Sequence, residues 1–355
     1  MGSGSSKHVV PVEQKKQHQA IQTMLDESKR EAAAQMKILL LGGPTSGKTT
    51  VTKQMQIIHN QGYKTEEDTQ HFKSVISTNV ACAVRQLIRG CKLLDIDAQE
   101  IEDDINNFKE FIMNYEVGAQ SMLIDQSMGE SIKRMWQSKA MQKCYMRRAE
   151  IDLFESTKHY LDRIDSITEA NYTPSEEDIL RARMATSGIH EIQFNYKELN
   201  IKMVDVGGQK SERRKWLHVF DDVQVVMFVS DISGYAKMIE DGGDMVNSLQ
   251  NSVTIFQDAM SKTELSNAKV ILFLNKVDLF EEALTTYNLS CCFDDYTGET
   301  DMETCKQFVL QKFLNSIDRD IYFYFTTAIN TENVEFVFNA CMDVLFNKSS
   351  AGAGL

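Results

Sequence analysis

The chain has 355 residues, 42% hydrophobic and 25% charged, enough to bury a large core in two domains or in one domain carrying an insertion. Its formal net charge of −13 repels polyanions and argues against general nucleic-acid binding. Its seven cysteines form no Cys-x-x-Cys pair, which points to reduced thiols and no zinc site, while no apolar run reaches the roughly 18 residues of a membrane span and no signal peptide is expected.

The opening "MGSGSS" fits the myristoylation pattern, so Gly2 is the expected lipidation site. A single acyl chain binds membranes weakly, so Lys7, Lys15 and Lys16 or a partner would have to add to it. Residues 1–36 read as an exposed amphipathic helix, with Ile21, Met24, Leu25, Ala32 and Met36 at helical spacing. "KILLLGG" (37–43) is short and continuously apolar, the pattern of a fully buried strand. A helix follows and is expected to stop at Gly62.

Between Thr45 and Thr173 there is no proline, and Val80, Val84, Leu87, Ile88 and Cys91 recur at three- and four-residue spacing. A plain α/β alternation would return to a strand sooner, so 63–178 is expected to be an inserted all-helical domain. "EIQFNY" (191–196) then alternates, and "LNIKMVDVGG", "VQVVMFVSD", "VILFLNKVD" and "IYFYFTTAIN" read as buried strands. Helices are expected near 212–219, 240–260, 302–316 and 332–347. The fold expected for 37–62 and 179–355 is α/β, a doubly wound, mostly parallel sheet with its polar loops at the carboxyl ends of the strands.

Gly42, Gly47, Lys48 and Thr49 satisfy G-x-x-x-x-G-K-[ST] between a buried strand and a helix. Phosphate oxygens need backbone N–H groups and a helix N-terminus, which such a loop supplies. Lys48 would meet the β- and γ-phosphates and the Thr49 hydroxyl would ligate Mg²⁺. In "DVGGQ", Asp205 ends an apolar strand and could hold Mg²⁺ through water, with Gly208 near the γ-phosphate. "NKVD" (Asn275, Lys276, Asp278) selects the base, because a carboxylate at Asp278 accepts from both N1–H and the N2 amine of guanine. The Ala328 N–H of "TTAIN" could reach guanine O6. In "DILRARMATSG", Arg183 could be an arginine supplied in cis and Thr186 a second Mg²⁺ ligand, although either residue alone reads as an ordinary loop position.

With the phosphate loop, a helical insertion, L-R-x-R-x-x-T, DVGGQ, NKxD and T-x-A in this order, the chain resembles a heterotrimeric G-protein α subunit over nearly its whole length. "KQMQIIHNQGY", "DVGGQKSERRKW", "FLNKVDLFEE" and "DDYTG" are further matches. The resemblance implies a Ras-like P-loop GTPase, switched by GTP and GDP on the cytoplasmic face of the plasma membrane. Its partners would be a βγ dimer, a seven-helix receptor and a downstream effector, with βγ meeting the second switch and the N-terminal helix. Arg183 would then stabilise charge between the β- and γ-phosphates, Gln209 would orient the attacking water, and Trp216 would pack differently in the two states. Carried over by motif, the nucleotide would be lined by Gly42, Gly43, Pro44, Thr45, Ser46, Gly47, Lys48, Thr49 and Thr50. Glu155, Ser156, Leu180, Arg181, Ala182, Arg183 and Thr186 would join it, with Asp205, Val206, Gly207, Gly208, Gln209, Asn275, Lys276, Asp278 and Ala328.

Four departures from the family pattern stand out. The usual loop G-A-G-E-S-G-K-S-T is here G-G-P-T-S-G-K-T-T. Pro44 removes an N–H beside the γ-phosphate, so GTP binding should survive with slower hydrolysis. Thr45 replaces an acid that can pair with the switch arginine, so GDP should leave faster; Glu155 keeps the charge of the usual aspartate. The small, polar tail "NKSSAGAGL" lacks the cysteine that an ADP-ribosylating toxin modifies, and it puts the receptor class in question. On the same motifs, the alternative is a non-hydrolysing adaptor that has lost turnover through Pro44 and Thr45.

Overall fold

Ile38, Leu39, Leu40 and Leu41 have no solvent exposure, and successive side chains enter opposite cores. Leu39 and Leu41 pack with Phe228, Phe256 and Phe313, while Ile38 and Leu40 pack with Val51, Met55 and Phe338. A strand buried on both faces needs layers on both sides, and its two-residue period shares the side chains between them. The structure, a computed structural model, describes residues 35–118, 122–151, 153–315 and 317–350. Gly2, the rest of 1–34 and the last five residues of the tail lie outside the described residues.

The strands in chain order are β1 (Gln35–Leu41), β2 (Ile189–Tyr196), β3 (Leu199–Val206), β4 (Val225–Asp231), β5 (Met238–Asp241), β6 (Asp244–Asn247), β7 (Lys269–Asn275) and β8 (Ile321–Thr326). Six form one sheet in the order β2-β3-β1-β4-β7-β8, and only the β2–β3 pair is antiparallel. This is the α/β, mostly parallel sheet expected. The strand order reverses around β1, so the loop after β1 opens into the crevice where such sheets take ligands.

Between the helix Lys48–His59 and β2, every described secondary-structure element is a helix. Glu66–Leu93 begins with a capping box of Thr65 and Asp68, and Glu102–Gly118, Gln126–Gln137 and Lys139–Met146 follow. Phe72, Val80, Leu87, Trp136, Cys144 and Tyr160 build a core of their own, separate from the two sheet faces, and Ile179 and Ala182 belong to it as well.

Three local expectations are corrected. Met36, placed on the face of an N-terminal helix by its spacing, lies in β1 opposite Ile201. Residues 240–247 form the hairpin β5–β6, not the start of a helix, and the helix is Ser248–Met260. Asp241-Gly242-Gly243-Asp244, with both glycines at positive φ, closes that hairpin. β8 is only half-buried, with Phe323 40% exposed, because β7 is its one strand neighbour in the sheet.

Candidate functional site

The phosphate loop runs from the end of β1 to the first turn of Lys48–His59. Gly47 caps that helix at φ +106, and a side chain there would strike the Asn275 amide. Pro44 and Thr45 form the turn at the loop's tip, with Thr45 at φ +56. A proline followed by a residue of positive φ is the arrangement of a type II turn, whose second position normally takes glycine. The proline therefore suits its place; the strained residue is the β-branched Thr45.

Lys48 is buried, and its ammonium donates to Gly42 O (3.0 Å), Gly43 O (2.7 Å) and Ser46 Oγ (3.4 Å). Burial lowers its pKa to about 8, with Asp205 opposing the shift. Thr49 Oγ1 lies 2.7 Å from Thr186 Oγ1 and donates to Asp205 Oδ2 at 2.8 Å. Asp205 Oδ1 is buried with no hydrogen-bond partner among the described residues, and burial raises the carboxyl's pKa against the pull of Lys48. Two hydroxyls and a carboxylate with a free lone pair are hard oxygen donors, the set that suits Mg²⁺. Among the described residues no three His, Cys, Asp or Glu side chains converge as a metal cage.

The two expected switch segments meet at this point. A side chain on Gly208 would collide with the Gly42 and Gly43 carbonyls and with the Lys48 ammonium, so only glycine fits. Gly188 N donates to Glu212 Oε2 (2.8 Å), and Trp216 Nε1 donates to Gly207 O (2.9 Å), beyond the buried Val206. Gln209 is exposed, and its carbonyl accepts from Glu212 N (2.9 Å) and Arg213 N (3.0 Å).

At the other end, Asn275 joins two loops. Its Nδ2 donates to Ser46 O (2.9 Å), while its Oδ1 accepts from Thr326 Oγ1 (3.2 Å) and Ala328 N (2.9 Å). The Ala328 N–H expected at guanine O6 thus donates to Asn275, because a buried amide oxygen requires a donor. Asp278 is exposed in the first turn of Val277–Leu284. Lys276, at φ +65, donates to Asp231 Oδ2 (2.8 Å) and to Glu155 Oε1 (2.9 Å). Burial pushes the Lys276 pKa down, but Asp231 and Glu155 outweigh it and the net shift is upward. Burial likewise pushes Glu155 up, and Lys276 with Lys237 brings it down to about 2.

Among the described residues no hydrogen bond joins the Arg183 side chain to the phosphate loop. Its guanidinium lies 4.4 Å from the centre of the Phe154 ring, and Asn79 brackets its backbone with bonds of 2.6 Å to the N–H and 2.9 Å to the carbonyl. Leu180 and Ala182 are buried, Arg181 donates to Glu177 (3.0 Å), and Ser156 is buried beside Glu155. Thr50 lies half-buried one residue beyond Thr49. Lys53, 4% exposed, donates to Ile179 O (2.8 Å) and Ala182 O (2.6 Å), fixing the segment that leads to Arg183. The motifs assigned no role to Lys53, Asn79, Phe154, Asp231 or Lys237, since an isolated lysine or phenylalanine reads the same whether solvated or buried.

A family model described as G-protein alpha subunit matches residues 15–345. The chain belongs to the G-protein alpha-subunit family. It is 37% identical over 357 residues to the guanine nucleotide-binding protein alpha-14 subunit of Caenorhabditis briggsae, covering 96% of this chain and 88% of that protein. The Caenorhabditis elegans alpha-14 subunit is 38% identical over 95% of this chain and 86% of its own length. The Caenorhabditis elegans alpha-6 subunit is 36% identical over 95% and 93%. GTP binding, Mg²⁺-dependent hydrolysis and partnership with βγ, receptors and effectors are general properties of this family. No helix among the described residues is long and apolar enough to cross a membrane.

Proposed function

We propose that this alpha subunit binds GTP, hydrolyses it to GDP and phosphate, and switches between the two nucleotides to pass signals from a seven-helix receptor to an effector. The observation that carries this reading is the meeting of Lys48, Thr49, Thr186 and Asp205 behind one glycine loop, with Asp205 Oδ1 left without a partner. When bound, Mg²⁺ would neutralise phosphate charge, held by Thr49 and Thr186 with Asp205 acting through water. The Lys48 ammonium, which donates to the Gly42 and Gly43 carbonyls, would turn to phosphate oxygens when a nucleotide binds. Asp278 would read guanine, with Asn275 holding the base loop against the phosphate loop. For turnover, Arg183 must leave the Phe154 ring and reach the developing charge, while Gln209 aligns a water. With phosphate gone, Thr186 and Gly208 would lose a common partner and the two segments would part.

A βγ dimer, a receptor and a myristoylated Gly2 at the plasma membrane complete the proposal on the strength of family membership and the opening sequence. Single-turnover release of phosphate from γ-labelled GTP after Mg²⁺ addition tests the chemistry, with Gln209→Leu as the control. About one phosphate per site is expected, falling steeply in the control. Stable binding without release would remove the hydrolytic part.

A further inference from the structure

One carboxylate ties the helical insertion to the sheet at the base end of the site. Glu155 accepts from Lys276 on both oxygens (2.9 and 2.8 Å) and from Lys237 on Oε1 (2.9 Å). Lys276 needs Glu155 only in part, because Asp231 already neutralises it at 2.8 Å. Lys237 is the residue immediately before β5, and its backbone closes the root of the hairpin, with Ser248 N donating to Lys237 O at 2.9 Å. At the hairpin's far end, Asp241 accepts from Lys210 N (3.2 Å), pairs with the Arg213 guanidinium and accepts from Asn251 Nδ2 (3.0 Å). Asp244 lies 3.4 Å from Lys210 Nζ. Lys210 directly follows Gln209 and Arg213 lies four residues after it, so a two-stranded ribbon with a two-glycine turn spans from the second switch to the clasp over the base site.

We propose that Lys237 is a positioning residue for nucleotide retention, and that the hairpin β5–β6 makes this retention depend on the second switch. The proposal rests on the guanine-nucleotide reading of the site. While Asp241 and Asp244 hold the switch, the hairpin is fixed at both ends and presents Lys237 to Glu155. Glu155 and its neighbour Phe154 then stay closed over the cleft. Release of the switch frees the hairpin's tip, and Lys237 loses the fixed geometry on which an ion pair depends. A pair as exposed as this one, at 39% and 36%, carries little energy by itself, so it acts as a modulator of the exit rate and not as a lock.

The test uses the full chain and follows release of a fluorescently labelled GDP in Mg²⁺ buffer. Lys237→Met should speed release about threefold, Lys237→Arg should restore it, and Asp241→Asn should speed it comparably. Because both lesions break one connection, the double variant should release no faster than the faster single one. Multiplying effects would overturn the hairpin link, and an unchanged rate in Lys237→Met would overturn the role of Lys237. Hydrogen exchange of residues 153–157 gives a readout that needs no nucleotide: Lys237→Met should raise exchange there, and no rise would overturn the clasp. If the wild-type chain takes up no guanine nucleotide, the reading of the site fails, and the exchange result alone decides the clasp.

Discussion

Thr49 Oγ1 donates to Asp205 Oδ2 at 2.8 Å across 156 residues of chain, leaving Asp205 Oδ1 buried without a partner. An acid held in this way keeps its second oxygen free to accept from an ion's water. Asp205→Asn keeps the shape but exchanges an acceptor for a donor, so Mg²⁺-dependent retention of a non-hydrolysable GTP analogue should fall by about tenfold or more. Dissociation rates with and without Mg²⁺ check this, and an undiminished Mg²⁺ effect would take Asp205 out of the ion's surroundings.

The burial of the Lys48 ammonium predicts a pH dependence of binding. Its folded pKa of about 8 lies below the unfolded value, so its buried charge destabilises the empty protein below pH 8. That penalty is relieved as pH rises from about 8 toward 10.4, and Lys53, also lowered to about 8 by burial, adds to the same rise in stability. Phosphate binding needs the charged form and therefore runs the other way. GDP affinity should fall about fourfold between pH 7 and 8.5, and binding at pH 8 should take up about half a proton. Calorimetry in buffers of different ionisation enthalpy measures that uptake, and its absence would mean that Lys48 does not meet the phosphates.

Thr45 at φ +56 stores strain that glycine would relieve. Glycine also loses more backbone entropy on folding, which offsets part of the gain. Thr45→Gly is expected to stabilise the nucleotide-free protein by about 0.5–1 kcal/mol, read as a rise in the melting temperature. Thr45→Glu should slow spontaneous GDP release by restoring an acid across the nucleotide, and Pro44→Gly should speed hydrolysis. Identical release and hydrolysis rates in these variants would show that the unusual loop is kinetically silent.

The stack of Arg183 on Phe154 places the guanidinium 4.4 Å from the ring centre. Such a contact is worth about 0.5–1 kcal/mol at an exposed site. If Arg183 must leave it to act, Phe154→Leu should raise single-turnover hydrolysis about two- to fivefold. A slower variant would mean that the ring presents the arginine instead of retaining it.

The sheet strands were legible because Ile38–Leu41, Val225–Val229 and Val270–Leu274 are buried on both faces, which leaves a continuous apolar run in the chain itself. The proposed phosphate loop and the NKVD motif stood out for a related reason: backbone contact with phosphate demands glycine, and reading a paired donor edge demands a carboxylate, at fixed spacing. The hairpin β5–β6 was not, since Asp241–Asp244 packs its polar residues against another segment, and a short polar ribbon looks like the start of a helix.

The buried parallel strands and the proposed phosphate loop were set by the sequence alone, because each depends on neighbours within a few residues. Tertiary structure decided which groups meet across long separations: Lys53 with Ile179, Asn79 with Arg183, and Glu155 with both Lys276 and Lys237. Those contacts exist only once two separate cores have folded and been brought side by side, and no residue spacing encodes a pairing of that kind.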